Sequence, residues 1–204
     1  MDRIIFATGN EGKLREIRDI LADLGIEVVS MKAAGITADI VEDGKTLGEN
    51  AIIKVKAIHE LTGEMVMADD SGLEIDYLNK EPGVYSARYM GEDTSYHIKN
   101  MNLVERLAGV PDELRTARFV CAIALITKEG QILTTKGNFE GRIGYEEKGE
   151  NGFGYDPIFY VPEFGCYSAE LSPEQKNAIS HRGKALRLMK EEIQKLNLAG
   201  RIKP

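Results

Sequence analysis

The sequence predicts an α/β protein with a mixed central sheet flanked by helices. Two observations carry this. Short apolar runs alternate with segments of helical periodicity, and one pair of apolar runs is joined by a glycine turn, as in a hairpin. Arg3-Ile4-Ile5-Phe6-Ala7 reads as a buried strand, broken by Thr8-Gly9-Asn10-Glu11-Gly12. Leu14, Ile17, Leu21 and Leu24 then recur at helical spacing, and Gly25 ends that helix. Ile26-Glu27-Val28-Val29 reads as a second strand, and residues 31–45 as a loop with acids at Asp39, Glu42 and Asp43. Thr46-Leu47-Gly48-Glu49 is a capping box that opens a helix running to about Thr62-Gly63. Met65-Val66-Met67-Ala68 reads as a buried strand that ends in Asp69-Asp70-Ser71-Gly72. Leu73, Ile75 and Tyr77 alternate with Glu74 and Asp76, the pattern of a further, half-buried strand.

Residues 79–95 look irregular. A helix is expected over 95–108, with Ile98, Met101, Val104 (or Leu103) and Leu107 facing inward. Arg118 to Thr127 is a long apolar strand that Lys128-Glu129-Gly130 turns into a partner over 131–140. A glycine-rich stretch, 141–156, precedes the strand Ile158-Phe159-Tyr160-Val161. Ser172-Pro173-Glu174-Gln175 starts a helix with proline at its first position. Gly183 is expected to interrupt it before a final amphipathic helix carrying Ala185, Leu186, Met189, Ile193 and Leu196.

At 204 residues the chain suits one domain, or two lobes sharing a core. Its net charge of −7 argues against a general nucleic-acid coat, which needs a basic footprint. No apolar run approaches the ~20 residues of a membrane span, and no signal peptide opens the chain. Cys121 and Cys166 are too few for a disulfide framework and fit a reducing, cytoplasmic setting. The expectation is a cytoplasmic protein with neither nucleic acid nor membrane as partner. Its 21 glycines follow no collagen period and mark turns and close approaches of backbone. Together these features suit an enzyme that handles a small anionic ligand through a metal.

Five clusters could carry chemistry. In Thr8-Gly9-Asn10-Glu11-Gly12-Lys13 a glycine loop opens a helix, presenting free N–H groups and the positive end of the helix dipole to an anion. A lysine in the first helical turn is unfavourable unless an anion is near. A plain capped turn with a solvated lysine explains the same residues, and the loop is not a Walker motif. Asp69-Asp70-Ser71-Gly72 lies where α/β sheets place ligands and suits Mg2+, yet it is also good turn chemistry. Glu42 and Asp43 could add a metal ligand or be a solvated acidic loop. Leu47, Ala51, Val55, Ile58 and Leu61 form one face of the 46–62 helix, with Lys54 in its middle. An inward lysine either meets an anion or snorkels to water. Glu49 reads as a cap. In Gly152-Phe153-Gly154-Tyr155-Asp156-Pro157 an aromatic between two glycines suits stacking on a planar base, or packs within its own loop. Lys176 and Ser180-His181-Arg182-Gly183 offer donors to oxygens, or form a basic helix surface. His59 and His97 have no partners at metal spacing.

Six motifs stand in the order Thr8-Gly9-Asn10-x-x-Lys13, Glu49-Asn50-Ala51-x-x-Lys54, Ala68-Asp69-Asp70-Ser71-Gly72-Leu73, Pro82-Gly83-x-Tyr85-Ser86-Ala87-Arg88-Tyr89, Gly152-Phe153-Gly154-Tyr155-Asp156-Pro157 and Ser180-His181-Arg182-Gly183. In these the chain resembles the inosine triphosphate pyrophosphatase family, the XTP/dITP diphosphatases that clean the nucleotide pool, over essentially its whole length. Val55 and Asn151 are small departures from the family pattern. The resemblance implies Mg2+-dependent hydrolysis of ITP, dITP or XTP to the monophosphate and pyrophosphate. It implies that Thr8, Gly9, Asn10, Glu11, Gly12 and Lys13 hold the triphosphate. Asp70 would be proton acceptor and metal ligand, Glu42 a second metal ligand, and Ser71 a substrate contact. Phe153, Gly154, Tyr155, Asp156, Lys176, His181 and Arg182 would form the base and sugar pocket. It further implies a homodimer and an elongated, two-lobed single domain over 1–204 with a cleft between the lobes.

The expected chemistry is attack of water on the α-phosphorus, with Asp70 orienting or deprotonating the water and Lys13 and Lys54 supplying fixed positive charge. Donors such as His181 or Arg182 would pair with the 6-oxo group of hypoxanthine or xanthine and mismatch adenine's amino group. A pyrophosphatase of modified pyrimidine triphosphates and a nucleotide-binding regulator without turnover remain as alternatives. The Phe153 loop speaks against the first and the acids Asp69, Asp70 and Glu42 against the second.

Overall fold

The computed structural model describes residues 3–9 and 11–198, without the side-chain surroundings of Glu11, Gly12, Asn177, Asn197 and Leu198. The strands are β1 (Arg3–Phe6), β2 (Glu27–Ser30), β3 (Met65–Ile75), β4 (Thr116–Ile126), β5 (Ile132–Ile143), β6 (Phe159–Val161) and β7 (Cys166–Tyr167). They form one seven-stranded sheet in the order β2-β1-β3-β4-β5-β6-β7. The sheet is mixed: β1 runs parallel to β2 and β3, whereas β6 runs antiparallel to β5 and β7. The helices are α1 (Glu11–Leu21), α2 (Leu47–Thr62), α3 (Tyr96–Arg106), α4 (Pro173–Ile179) and α5 (His181–Leu198).

The chain divides into two compact units. One comprises residues 1–70, 121–137 and 182–204, the other 71–120 and 138–181. In the first, the strands are buried on both faces, so the pleat sends alternate residues to opposite helix layers. Ile4, Phe6, Met65 and Met67 pack with Leu14, Ile17 and Leu21 of α1 and with Ala185, Leu186, Met189 and Ile193 of α5. Ile5, Ala7, Val66 and Ala68 pack with Ala51, Val55 and Ile58 of α2. The expected stripes are therefore real, except that Leu61 in the last turn of α2 is exposed.

In the second unit the core joins Leu73, Ile75, Leu103, Leu107, Phe119, Phe139, Ile143 and Phe159. Arg118 on β4 pairs with Asp76 at 2.8 Å, Glu140 at 3.0 Å and Glu74 at 3.7 Å, a cluster that is only partly buried.

Three expectations are corrected. Asp69-Asp70-Ser71-Gly72 is not a turn between two strands, because β3 runs unbroken through it. Gly72 allows this: a Cβ there would lie 2.3 Å from the Gly83 carbonyl, which packs directly on the strand. The Ser86 hydroxyl fixes the same contact, accepting from Leu73 N–H at 2.8 Å and donating to Gly83 O at 2.6 Å. On α3, Ile98 and Met101 do not face inward but are 51% and 42% exposed, while Lys99, Asn100, Leu103 and Leu107 are buried. The donors of Lys99 and Asn100 find partners on the inner face, while the Asn100 side-chain oxygen is buried with no hydrogen-bond partner among the described residues. The Lys99 ammonium donates to Ala87 O at 2.8 Å, and the Asn100 amide makes two hydrogen bonds. Finally, the C-terminal helices part at Ser180, whose ψ of 150° is extended, rather than at Gly183, which lies in the first turn of α5.

Candidate active site

In the first unit, the turn after β1 is tied to β3 by the Ala7 N–H, which donates to Met67 O at 2.8 Å. Thr8 is half-buried, and Gly9 is exposed with open space where a side chain would be. Asn10 lies outside the described residues. Helix α1 begins at Glu11, so the N–H groups of its first turn face this loop without intrahelical partners. Lys13 is not a solvated lysine. Its ammonium contacts the Asp69 carboxylate at 2.8 and 3.0 Å. Arg182, at the start of α5, reaches the same carboxylate at 3.3 Å and Glu16 at 3.1 Å.

Asp69 is thus a counter-charge shared by two cations, with its side chain only 1% exposed. Burial opposes its ionisation, but Lys13 and Arg182 outweigh burial and hold the carboxyl well below the usual range. Burial likewise disfavours the Arg182 cation, and Asp69 and Glu16 more than restore it. Arg182 is thus oriented by two acids of this unit, through its Nε and one terminal nitrogen.

Lys54 points inward, as its place on the α2 stripe suggested, and its side chain is 12% exposed. Its ammonium lies 2.8 Å from Asp69 O, 3.0 Å from Glu42 and 3.9 Å from Asp70. Asn50, one turn earlier on α2, is almost fully buried and links the same groups. It accepts from the Gly44 N–H at 2.9 Å and donates to Asp70 at 3.0 Å. Gly44 is required at this contact, since a Cβ would sit 2.6 Å from the Asn50 oxygen. The loop carrying Glu42 is thereby fastened to the strand carrying Asp70. Only half of the expected capping box forms: Thr46 accepts from Glu49 N–H at 3.1 Å, while the Glu49 carboxylate accepts from Lys45 N–H at 2.6 Å. Burial pushes the Asp70 carboxyl up. Lys54 and Asn50 pull it back, and the neighbouring Glu42 and Asp69 push it up further. A carboxyl tuned this way is suited to accept a proton.

In the second unit, Ser71 opens the outer half of β3 and is partly exposed. Phe153 is 63% exposed on a tight loop. Gly152 and Gly154, at φ of 74° and 67°, turn the chain on either side of it. A Cβ on Gly152 would collide with Asp156 at 2.3 Å. Asp156 is buried, and its carboxylate accepts from Phe153 N–H at 2.9 Å, from the Ser168 hydroxyl at 2.8 Å and from Lys176. It therefore builds the loop that presents Phe153. The Lys176 ammonium sits 5.1 Å from the Phe153 ring centre. Tyr155 is buried, donates to Ser86 O at 2.6 Å, and is held protonated chiefly by burial. The His181 ring stacks on Phe119, 5.3 Å between centres.

Asn50 and Glu16 are participants for which the sequence reading assigned no role. Both signals were present: Asn50 is four residues before Lys54 and Glu16 three after Lys13, so each pair shares a helix face. The donor set also fits a magnesium ion. Glu42 and Asp70 converge on one ammonium. Among the described residues no group of three or more His, Cys, Asp or Glu side chains is gathered. Two carboxylates suit Mg2+, which takes few protein oxygens and fills its shell with phosphate and water.

A mixed α/β sheet with a glycine loop at a helix start, two largely covered lysines and neighbouring carboxylates is an arrangement suited to a phosphorylated ligand. The chain belongs to the Ham1 family, whose model matches residues 4–192. It is 48% identical over 194 residues to the dITP/XTP pyrophosphatase of Desulforamulus reducens, covering 95% of this chain and 96% of that one. It is 49% identical over 189 residues to the dITP/XTP pyrophosphatase of Vibrio parahaemolyticus, covering 92% and 94%. Among solved structures it is similar to a HAM1 protein from Coxiella burnetii, with a TM-score of 0.90, 42% identity, and coverage of 96% of this chain and 100% of that one.

Proposed function

We propose that this chain is a dITP/XTP pyrophosphatase that also takes ITP, releasing the nucleoside monophosphate and pyrophosphate in a Mg2+-dependent reaction. The observation that carries this reading is Lys54, a nearly buried ammonium gathered with Glu42, Asp70 and the Asp69 carbonyl. Such a concentration of charge is costly without a charged ligand to organise. The identity to named dITP/XTP pyrophosphatases supports the substrate class.

In this reading Thr8, Gly9, Asn10, Glu11, Gly12 and Lys13 bind the triphosphate through backbone N–H groups and one ammonium. Lys54 faces the developing negative charge. Asp70, held in orientation by Asn50, takes the proton of the attacking water. Glu42 and Asp70 would hold Mg2+, which supplies charge neutralisation at the phosphates. Asp69 keeps Lys13 and Arg182 in place. Phe153 stacks on the base, and Gly154, Tyr155 and Asp156 shape the loop that presents it. Lys176, His181 and Ser71 supply polar contacts.

The reading extends to a cytoplasmic homodimer. The exposed Tyr85, Met90, Ile98 and Met101 of the second unit support the dimer, and among the described residues no helix is long and apolar enough to cross a membrane. The test is pyrophosphate release from dITP, XTP, ITP, GTP, ATP and modified pyrimidine triphosphates, with Mg2+ and with EDTA. Release from the first three, abolished by EDTA, is expected. Release from pyrimidine substrates alone, or undiminished release in EDTA, would refute it.

A further inference from the structure

We propose that helix α3, through Asn100, is what positions the Phe153 platform, so that Asn100 is a positioning residue for base recognition. The inference rests on the reading of the Phe153 loop as the base site and deepens it. Phe153 itself is mostly exposed, so its own packing does not fix it. Asp156 and the two glycines set the shape of the loop, as described above. Asp156 ties the loop to Ser168 and Lys176, and Tyr155 ties it to Ser86; the anchor at Gly154, the residue directly after Phe153, is α3.

Asn100 is 1% exposed. Its amide nitrogen donates to Gly154 O at 3.2 Å and to Glu147 at 2.7 Å. The opposite amide orientation would set its oxygen against two acceptors, so this one is fixed. Glu147 is held in turn by His97 at 2.6 Å. Tyr96 lies one turn before Asn100, on the same face of α3. Its ring meets the Tyr155 ring edge-on, 5.2 Å between centres, and lies where a Cβ on Gly154 would come within 3.4 Å. Helix α3 thus touches the backbone of Gly154 and the side chain of Tyr155, the two residues that follow Phe153. This also accounts for the inverted face of α3. Asn100 is buried where an apolar residue would have packed, because Gly154 presents a carbonyl there that needs a donor.

A platform held equally in the ground and transition states changes KM and leaves kcat. Asn100→Leu keeps the branched shape and removes both donors. Its KM for dITP is expected to rise about 10-fold, with kcat within about 2-fold and a reduced preference for dITP over dATP. Phe153→Ala separates the two layers of the argument. If Phe153→Ala raises KM and Asn100→Leu does not, the positioning role is refuted and the base platform stands. If neither raises KM, the platform reading fails and the inference falls with it. A fall in kcat at unchanged KM for Asn100→Leu would also overturn the proposal. Should Asn100→Leu not fold, Glu147→Ala removes one anchor of the Asn100 amide. A KM increase of about 3-fold then supports the role, and an unchanged KM refutes it.

Discussion

Replacing Asp69 by asparagine keeps the shape of the side chain and removes one buried negative charge. Two cations then lose their shared partner: Lys13 at 2.8 Å and Arg182 at 3.3 Å. Breaking one side of a buried ion pair costs about 3–5 kcal/mol, because the surviving charge stays desolvated. Here Glu16 still reaches Arg182 at 3.1 Å, and the Lys13 side chain is 22% exposed and can recover some water. The lower end, about 3 kcal/mol, is therefore expected. In a chain of this size that corresponds to a fall in Tm of about 6–12 °C. Thermal unfolding followed by circular dichroism at neutral pH measures it. The sign with pH follows from the depressed carboxyl of Asp69. Its contribution is complete above the ordinary value of 3.8 and is lost as the pH falls below it, toward the folded-state value. The gap between wild type and variant should stay constant down to that point and narrow below it. A Tm within about 2 °C of wild type would show that Asp69 does not hold the two cations. So would a gap that narrows near neutrality.

Other outcomes follow from the same geometry. Asp70→Asn should lower pyrophosphate release from dITP by at least about 100-fold with the fold intact, and near-wild-type turnover would remove Asp70 as the base. Gly72→Ala puts a methyl group 2.3 Å from the Gly83 carbonyl. It should destabilise the fold by about 1–3 kcal/mol, read as a lowered urea midpoint, whereas an unchanged midpoint would mean that the Gly83 segment yields freely.

Much of the first unit was legible in the sequence. The apolar runs around Ile5 and Val66 and the stripes of α1, α2 and α5 each state a buried face by their period, and those faces are buried. Lys54 was visible for the same reason, as a cation on an apolar stripe. The second unit was less legible. Strand β3, which passes from the first unit into the second through Asp69-Asp70-Ser71-Gly72, carries residues typical of turns, and helix α3 carries Ile98 and Met101 outside. In both places a hydrogen bond or a close contact with a distant segment outweighs the local pattern: Gly83 on Gly72, and Gly154 and Glu147 on Asn100.

The sequence by itself determined the α/β class, the helix and strand periods, and which residue types could serve a phosphorylated ligand. These depend on local spacing, which the chain displays directly. Only the tertiary structure decided which charges meet. Asp69 became the counter-charge of Lys13 and Arg182 rather than part of a turn. Asn50 became the link between Glu42's loop and Asp70, and Asp156 became a builder of the Phe153 loop. The charge pairings of Asp69 join residues far apart in the chain, Asn50 and Asp156 combine local bonds with distant ones, and a buried charge takes its role from whichever partner the fold delivers.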